Sequence, residues 1–224
     1  MITEIATLEL AAPADLSDPS SPTTSTIRTF LTAVLAADGA HAAYFGQSVE
    51  KPDIVIIFID WDSTDAHHQF LASPASDDIA SPLLAITNPA IPPQILHLPP
   101  IPHALLGEQP DINISEIIFF YFSTFLTPGD ILSIMATMSK LRPALDISEA
   151  RGVFEGWAEE GGVVYVDEKR EERCKALVSV VGWESVEAHG RFVGTEEFRT
   201  NREVVMGMGM LRGVEMFNVM LVKV

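Results

Sequence analysis

Two histidines, His67 and His189, have the residue type and the setting for acid–base chemistry. They occupy the same place in two matching thirteen-residue segments, 61–73 and 183–195, in which five positions are identical. An imidazole titrates near neutral pH and can therefore take up or release a proton during a reaction. In a helix, each histidine would lie at the border of the core-facing stripe and could project into a pocket. The alternative, a structural histidine bonded to a backbone carbonyl, fits the same spacing.

Aromatic and polar residues on the apolar strands could line and orient a ligand. Pockets for small molecules are mainly apolar and carry a few well-placed polar groups. Tyr121 is a further candidate for proton transfer, and Glu116 is a further polar candidate. The candidate ligand contacts are Trp61, Trp183, Phe119, Phe122, Trp157, Tyr44 and His97. Aromatic residues on half-buried strands commonly belong to a core, so each of these also has a purely structural interpretation.

The histidines show no local metal-binding pattern. His67 and His68 are adjacent and would point to different faces of a helix, and no further ligand follows at i+4. We therefore expect no bound metal and no other cofactor. Cys174 is the single cysteine, which excludes an intramolecular disulfide, and no general base lies near it in the sequence.

The composition excludes several classes of partner. Fourteen Lys and Arg against 31 Asp and Glu give a net charge of -17, which would repel phosphate backbones and anionic lipid headgroups. The N-terminus lacks the basic start and apolar block of a signal peptide, and the apolar runs at 54–59 and 117–122 are far shorter than a membrane span. We expect a cytoplasmic protein that binds neither nucleic acid nor membranes.

The two matching segments belong to a longer repeat. Their offset is 122 residues without a gap, and a short apolar run, 54–59 or 176–181, precedes each tryptophan. The length and β-branching of these runs predict strands. The Asp-Ser or Glu-Ser pair after each tryptophan predicts a helix N-cap with an acidic first turn. Each half therefore contains a strand, a capped turn and an amphipathic helix.

Extending this unit outwards predicts an α+β chain with the order β-α-β-β-α-β twice, the ferredoxin-like arrangement. In the first half we predict strands at 2–10, 42–49, 53–60 and 94–98, and helices at 26–37, 63–72 and 77–86. In the second half we predict strands at 114–125, 152–158, 175–182 and 214–222, and helices at 129–141, 185–194 and 196–206. The units span 1–104 and 112–224, with a connector at about 87–113 that contains seven prolines. A longer exposed hairpin is expected at 161–173.

The repeated motif Trp-Asp-Ser-x-x-Ala-His-x-x-Phe at 61–70, preceded by the strand Tyr44-Phe45-Gly46-Gln47-Ser48-Val49-Glu50, resembles the dimeric α+β barrel superfamily. Within it, the antibiotic biosynthesis monooxygenase-like proteins of fungi are the most similar. The resemblance implies that two ferredoxin-like units pair their antiparallel sheets into one barrel within a single polypeptide. It also implies a ligand pocket between a sheet and its covering helices.

The resemblance implies a set of activities, and the residues do not choose among them. One hypothesis is a cofactor-independent monooxygenase or polyketide cyclase acting on an apolar, aromatic or polyketide-like small molecule. The alternative is a non-catalytic ligand-binding or stress-type barrel, and haem binding is a third. We expect a monomer that acts as a pseudo-dimer, with further homodimerisation left open. The working pocket is expected in the second half, because of Trp157 and the strand at 119–122.

Overall fold

The order of strands and helices repeats along the chain. The computed structural model describes residues 1–146, 149–167 and 170–224. The first unit contains β1 (Ile2–Glu9), α1 (Pro22–Val34), β2 (Ala40–Gln47), β3 (Ile54–Trp61), α2 (Thr64–Leu71), α3 (Ser76–Leu84) and β4 (Gln94–Leu98). A 3-10 turn at His103–Leu106 lies in the proline-rich connector. The second unit contains β5 (Ile114–Ser123), α4 (Pro128–Asp146), β6 (Ala150–Trp157), β7 (Val163–Asp167), β8 (Arg170–Trp183), α5 (Val186–Val193), α6 (Glu196–Met206), β9 (Leu211–Val219) and β10 (Val222–Lys223).

Each unit forms an antiparallel sheet of the predicted kind. The first sheet has the order β10-β2-β3-β1-β4, and the second has the order β6-β8-β5-β9 with β7 paired to β8. Strand β10 belongs to the second half of the chain but pairs with β2 of the first unit. The predicted final strand at 214–222 is therefore divided, because the last residues leave the second sheet to join the first.

Hydrogen bonds join the two sheets at both edges. After β2, Val49 donates its backbone N–H to the carbonyl of Asn218 on β9, at 2.8 Å. After β6, Glu159 donates in the same way to His97 on β4, at 2.9 Å. Each edge strand is thus covered by a segment of the other unit, which satisfies backbone groups that an open edge would expose. The result is the closed intramolecular α+β barrel.

Side chains fill the barrel interior. The alternation of the strands directs one set of residues inwards from both sheets. Those with the largest fully buried side chains include Tyr44, Phe58, Phe119 and Tyr121. Burying one large apolar side chain contributes about 1.5–3 kcal/mol. This shared core therefore holds the two units together and leaves the outer faces of the sheets for the helices.

The outer face of each sheet packs against its own helices. In the first unit, β3 contacts α1 through a cluster that contains Ile57, Ile27 and Leu31. In the second unit, the corresponding cluster contains Phe120 on β5 and Met138 on α4. Strand β5 therefore buries large residues on both faces, one set in the barrel and the other under the helices.

The repeated turn after each tryptophan forms as predicted. The hydroxyl of Ser63 accepts a hydrogen bond from the backbone N–H of Ala66 at 3.2 Å, and Ser185 caps α5 through Ala188 at the same distance. The predicted hairpin is present as β7 and the start of β8, while residues 168 and 169 lie outside the described part. Within the described residues, no helix combines the length and hydropathy needed to cross a membrane.

Candidate functional site

A glutamate, a tryptophan and a histidine form a buried cluster in the first unit. Glu4 on β1 accepts a hydrogen bond from Trp61 Nε1, at the end of β3, with a distance of 2.7 Å to Oε2. The capped turn then brings His67 on α2 over the indole, with ring centroids 5.1 Å apart. His67 Nε2 lies 3.5 Å from Glu4 Oε2. Glu4 and His67 are 4% and 3% exposed, so these polar groups depend on one another for partners.

The second unit repeats the cluster. Trp183 Nε1 donates to Glu116 Oε2 at 2.8 Å. His189 Nε2 lies 3.3 Å from Glu116 Oε1, an ion-pair contact between two buried side chains. Our sequence prediction included the tryptophans, the histidines and Glu116, but it missed Glu4. The signal was present, because Ile2-Thr3-Glu4-Ile5 matches Ile114-Ser115-Glu116-Ile117 at an offset of 112 rather than 122.

The neighbouring edge strand supplies a fourth residue to each cluster. His97 on β4 lies opposite Glu4 in the β1–β4 register, and its Nε2 is 2.7 Å from His67 Nδ1. Asn218 on β9 lies opposite Glu116, and its Nδ2 donates to His189 Nδ1 at 3.1 Å. The two units therefore differ at this position, with an imidazole in one and an amide in the other.

The fifth residue of each cluster comes from the other unit. Glu160, in the second unit, accepts the backbone N–H of His97 at 3.0 Å and lies 2.5 Å from its Nδ1. Glu50, in the first unit, accepts the backbone N–H and the side-chain amide of Asn218 at 2.9 and 2.6 Å. We call the first network the set Glu4, Trp61, His67, His97 and Glu160. We call the second network the set Glu116, Trp183, His189, Asn218 and Glu50.

The first network shifts the protonation of its members. Burial raises the pKa of Glu4 to about 7, although the Trp61 hydrogen bond and the charge of His97 lower it. Burial lowers the pKa of His67 to about 4, and the charge of His97 adds to this. Burial also lowers the pKa of His97, but the hydrogen bond and charge of Glu160 outweigh it and raise the pKa above its usual value. At neutral pH, His67 is therefore neutral, and the Glu160 carboxylate beside His97 favours the protonated form of that imidazole.

The second network places a proton between a histidine and a carboxylate. Burial lowers the pKa of His189, but contact with Glu116 and the charges of Glu116 and Glu50 raise it above its usual value. The hydrogen bond from Asn218 Nδ2 to Glu50 fixes the orientation of the amide. The same Nδ2 group faces His189 Nδ1, and because it can only donate, His189 Nδ1 accepts. The proton of a neutral His189 is therefore on Nε2, which faces Glu116.

Two cavities lie between the sheets and the helices, one beside each network. The first measures about 240 Å³, and its wall includes Glu4, Trp61 and His67. The second measures about 560 Å³, and its wall includes Glu116. Apolar residues of the second wall include Ile118, Phe120, Val181, Phe192, Val205 and Val214. Its other polar residues include Tyr165, Ser179, Asn201, Arg142, Arg202 and Arg212.

The two units differ in one pair of facing residues, because the large and the small side chain stand on opposite strands in the two cavities. In the first unit, Ala6 on β1 lies opposite Ile57 on β3. In the second unit, Ile118 on β5 lies opposite Ser179 on β8. All four residues contribute to the cavity walls. The small Ser179 leaves space at the floor of the larger cavity, where the first unit has an isoleucine.

The remaining residues predicted for the site lie in several different parts of the structure. Tyr121, Phe119 and Tyr44 face the barrel interior, on the opposite side of the sheets from the cavities. Tyr121 donates to Glu215 Oε2 at 2.7 Å, and burial together with that carboxylate raises its pKa far above its usual value. We therefore do not place Tyr121 in the site.

The other predicted aromatic residues pack beside or behind the cavities. Phe122 and Trp157 contact one another, with ring centroids 5.5 Å apart, and neither belongs to the wall of the larger cavity. Trp183 and His189 lie behind Glu116, so only the carboxylate of the second network reaches that wall. Besides Glu4, sequence reasoning missed Glu50, Glu160, Asn218 and Ser179, for which no local motif exists.

Comparisons with known proteins identify the fold. No family model and no curated protein matches the sequence. An anthrone oxidase-like protein of known structure is 13% identical, with 99% of this chain and 91% of that chain covered and a TM-score of 0.68. A candidate monooxygenase from Lactobacillus acidophilus is 14% identical, with 99% and 93% covered and a TM-score of 0.53. A candidate chlorite dismutase is also 14% identical, with 99% and 96% covered and a TM-score of 0.54. The chain therefore has the α+β barrel fold of these solved structures, and a fold shared at such low identity does not specify the chemistry.

Proposed function

We propose that this tandem α+β barrel is a cofactor-independent monooxygenase or cyclase that binds an apolar, aromatic polyketide-like molecule in its larger cavity. One observation carries the proposal. Glu116, only 4% exposed, places a carboxylate in the wall of a mainly apolar cavity of about 560 Å³. A carboxylate in such a place can act as a base toward a bound substrate.

The cavity suits a ligand of several fused rings. Small-molecule sites commonly have volumes of about 300–1,000 Å³ and mainly apolar walls. Here Phe120 and Phe192 offer aromatic surface, while Tyr165 and Asn201 offer polar groups that could orient ligand oxygens. The first cavity, about 240 Å³, falls below that range.

The proposed chemistry begins with proton transfer to Glu116. The carboxylate removes a proton from a phenol or from a carbon next to a carbonyl, and Trp183 and His189 hold it in position. In the oxygenase reaction, the carbanion formed from a CH₂ group adds O₂ to give a peroxide anion, which takes the proton back from Glu116 and then loses water to leave a carbonyl. One CH₂ group and one O₂ thus become one C=O group and one H₂O. In the cyclase reaction, the same carbanion attacks a carbonyl of the same molecule. The fold shared with an anthrone oxidase-like protein favours the first reaction.

A second function, ligand binding without turnover, is favoured by a different observation. The histidine of the second network lies behind Glu116 and does not reach the cavity wall. The wall then holds a base without a second proton-transfer group from that network. Binding with no turnover would support this alternative.

The test uses 1,8-dihydroxyanthrone as the probe. The full chain, freed of metal with a chelator, is mixed with the anthrone in air-saturated buffer. Oxygen uptake is measured with an electrode and anthraquinone formation by absorbance. We expect one O₂ consumed per anthraquinone formed, at a rate above that of spontaneous oxidation. Binding of the anthraquinone with no acceleration would instead support the non-catalytic alternative, and the absence of both would refute the proposed ligand class.

Ser179→Ile is expected to weaken ligand binding to the second cavity. The substitution copies Ile57 of the first unit and places two isoleucines opposite one another on β5 and β8. Overfilling a packed site costs about 1–3 kcal/mol, so the Kd should rise about 5- to 150-fold. Calorimetric titration with 1,8-dihydroxyanthraquinone measures the effect, and Ser139→Ile on the exposed face of α4 is the control. Equal affinities for the two variants would place the ligand elsewhere.

A further inference from the structure

We propose that the first network is a binding site for a divalent transition-metal ion, with Glu4, His67 and His97 as its ligands. The site is separate from the larger cavity and does not depend on the function proposed there. One potential ligand atom from each of the three residues lies within 4.8 Å of the other two. All three side chains are buried, with exposures of 3–4%.

The three ligands are of the kinds that such ions prefer. Two imidazoles and one carboxylate, with a remaining open position, form a common protein site for zinc and for other first-row metals. The three residues come from β1, α2 and β4, so rigid elements rather than a loop position them. Our sequence expectation of no metal rested on local spacing. It did not consider ligands that lie 63 and 30 residues apart in the chain.

The surrounding residues hold the ligand atoms in suitable directions. His97 Nδ1 lies 2.5 Å from Glu160, which leaves Nε2 to face His67. A carboxylate behind a metal-bound histidine is a recurrent arrangement that fixes the ring and its tautomer. Trp61 both donates to Glu4 and packs on the ring of His67. Each proposed ligand is therefore oriented by a neighbour that is not itself a ligand.

An ion fits between the histidines after a small movement. His67 Nδ1 and His97 Nε2 are 2.7 Å apart. Metal–nitrogen bonds of about 2.0–2.1 Å in tetrahedral geometry separate two ligand atoms by about 3.3 Å. The two ring nitrogens must therefore move apart by about 0.6 Å to admit the ion. The cavity of about 240 Å³, whose wall contains Glu4 and His67, gives a route of entry and room for a water ligand.

The second unit supplies an internal comparison. Its network has Glu116 and His189 in the equivalent places, but Asn218 stands where the first unit has His97. An uncharged amide is a poor ligand for zinc compared with an imidazole. We therefore expect one ion per chain, held by the first network. The single exchange His97 to Asn should remove the site, and the reverse exchange at Asn218 should create a second one.

The experiment measures metal binding by the full chain after chelator treatment. Zn²⁺ is titrated in competition with a chromophoric chelator, and Co²⁺ is titrated while its visible absorption is recorded. We expect one equivalent for the wild type, with Co²⁺ bands of a four- or five-coordinate site. His97→Asn should weaken binding at least about 100-fold, and Glu160→Gln should weaken it about 10- to 100-fold, as expected for a residue behind a ligand. Asn218→His should bind two equivalents.

The controls separate this site from surface binding. His41→Asn removes an exposed histidine that pairs with Asp62, and it should retain one equivalent. Thermal unfolding establishes that each variant is folded, and Zn²⁺ should raise the Tm of the wild type but not that of His97→Asn. The proposal is overturned if the folded wild type binds no Co²⁺, or if folded His97→Asn binds it as tightly as the wild type. If His97→Asn does not fold, Glu160→Gln and Asn218→His decide the question. The proposal is then overturned if Glu160→Gln binds Co²⁺ as tightly as the wild type and Asn218→His binds only one equivalent.

Discussion

Glu116→Gln is expected to reduce anthrone oxidation by about 10²- to 10⁴-fold in kcat, the usual contribution of a positioned general base. The amide oxygen can still accept the hydrogen bond of Trp183, so the shape of the wall should be preserved. An amide cannot take up the substrate proton, and the loss should therefore appear in kcat with little change in KM. Initial rates of oxygen uptake over a range of 1,8-dihydroxyanthrone concentrations give both parameters.

Two further variants make this test specific. Glu197→Gln removes a carboxylate from the exposed surface of α6 and should leave kcat unchanged. His189→Gln removes the imidazole behind Glu116 and should have a smaller effect than Glu116→Gln, because His189 does not reach the cavity wall. A larger loss for His189→Gln would assign the proton transfer to the histidine. Activity of Glu116→Gln within threefold of the wild type would exclude Glu116 as the base.

Trp183→Phe is expected to lower the free energy of unfolding by about 2–4 kcal/mol. The substitution leaves Glu116 Oε2 buried without its indole donor, and an unsatisfied buried group costs about 1–3 kcal/mol. The smaller ring also leaves a gap beside Phe192, whose centroid is 5.4 Å from that of Trp183. Urea unfolding followed by circular dichroism measures the change, with an unchanged m-value expected.

Trp157→Phe is the matched control for this prediction. Within the described part of the chain, the indole N–H of Trp157 is buried and has no hydrogen-bond partner. The same substitution there removes no hydrogen bond, so we expect a change of about 1 kcal/mol or less in either direction. Equal losses for the two variants would show that packing, and not the bond to Glu116, accounts for the effect at Trp183.

The repeated architecture was predictable because its causes are local. Apolar runs of strand length, the Ser63 and Ser185 caps and the Trp–His spacing each lie within about a dozen residues. Short-range patterns of this kind determine strands, turns and helices, and their repetition at one offset indicates duplication. The observed strands and helices differ from the predicted ones mainly in where they begin and end. The final strand is divided, for example, because β10 pairs with the other unit.

The candidate networks could be predicted only in part. The sequence indicated that His67 and His189 are equivalent, because they share a motif. It did not indicate that Glu160 contacts His97, or that Glu50 contacts Asn218, since these pairs meet across the joined edges of two sheets. Contacts between residues so far apart in the chain depend on strand register and barrel closure, and no periodic pattern in the sequence predicts them.

By itself, the sequence determined the α+β class, the two units and the aromatic and histidine residues that each unit repeats. Only the tertiary structure decided which face of β5 meets a cavity, because large residues occupy both of its faces. Pairing with β8 and closure of the barrel direct Tyr121 into the filled interior and Glu116 towards the helices. Cavity size was likewise decided by which residues face one another, with Ser179 opposite Ile118 in one unit and Ile57 opposite Ala6 in the other. Side-chain alternation assigns residues to two faces, but only the packing of the other elements determines what each face contacts.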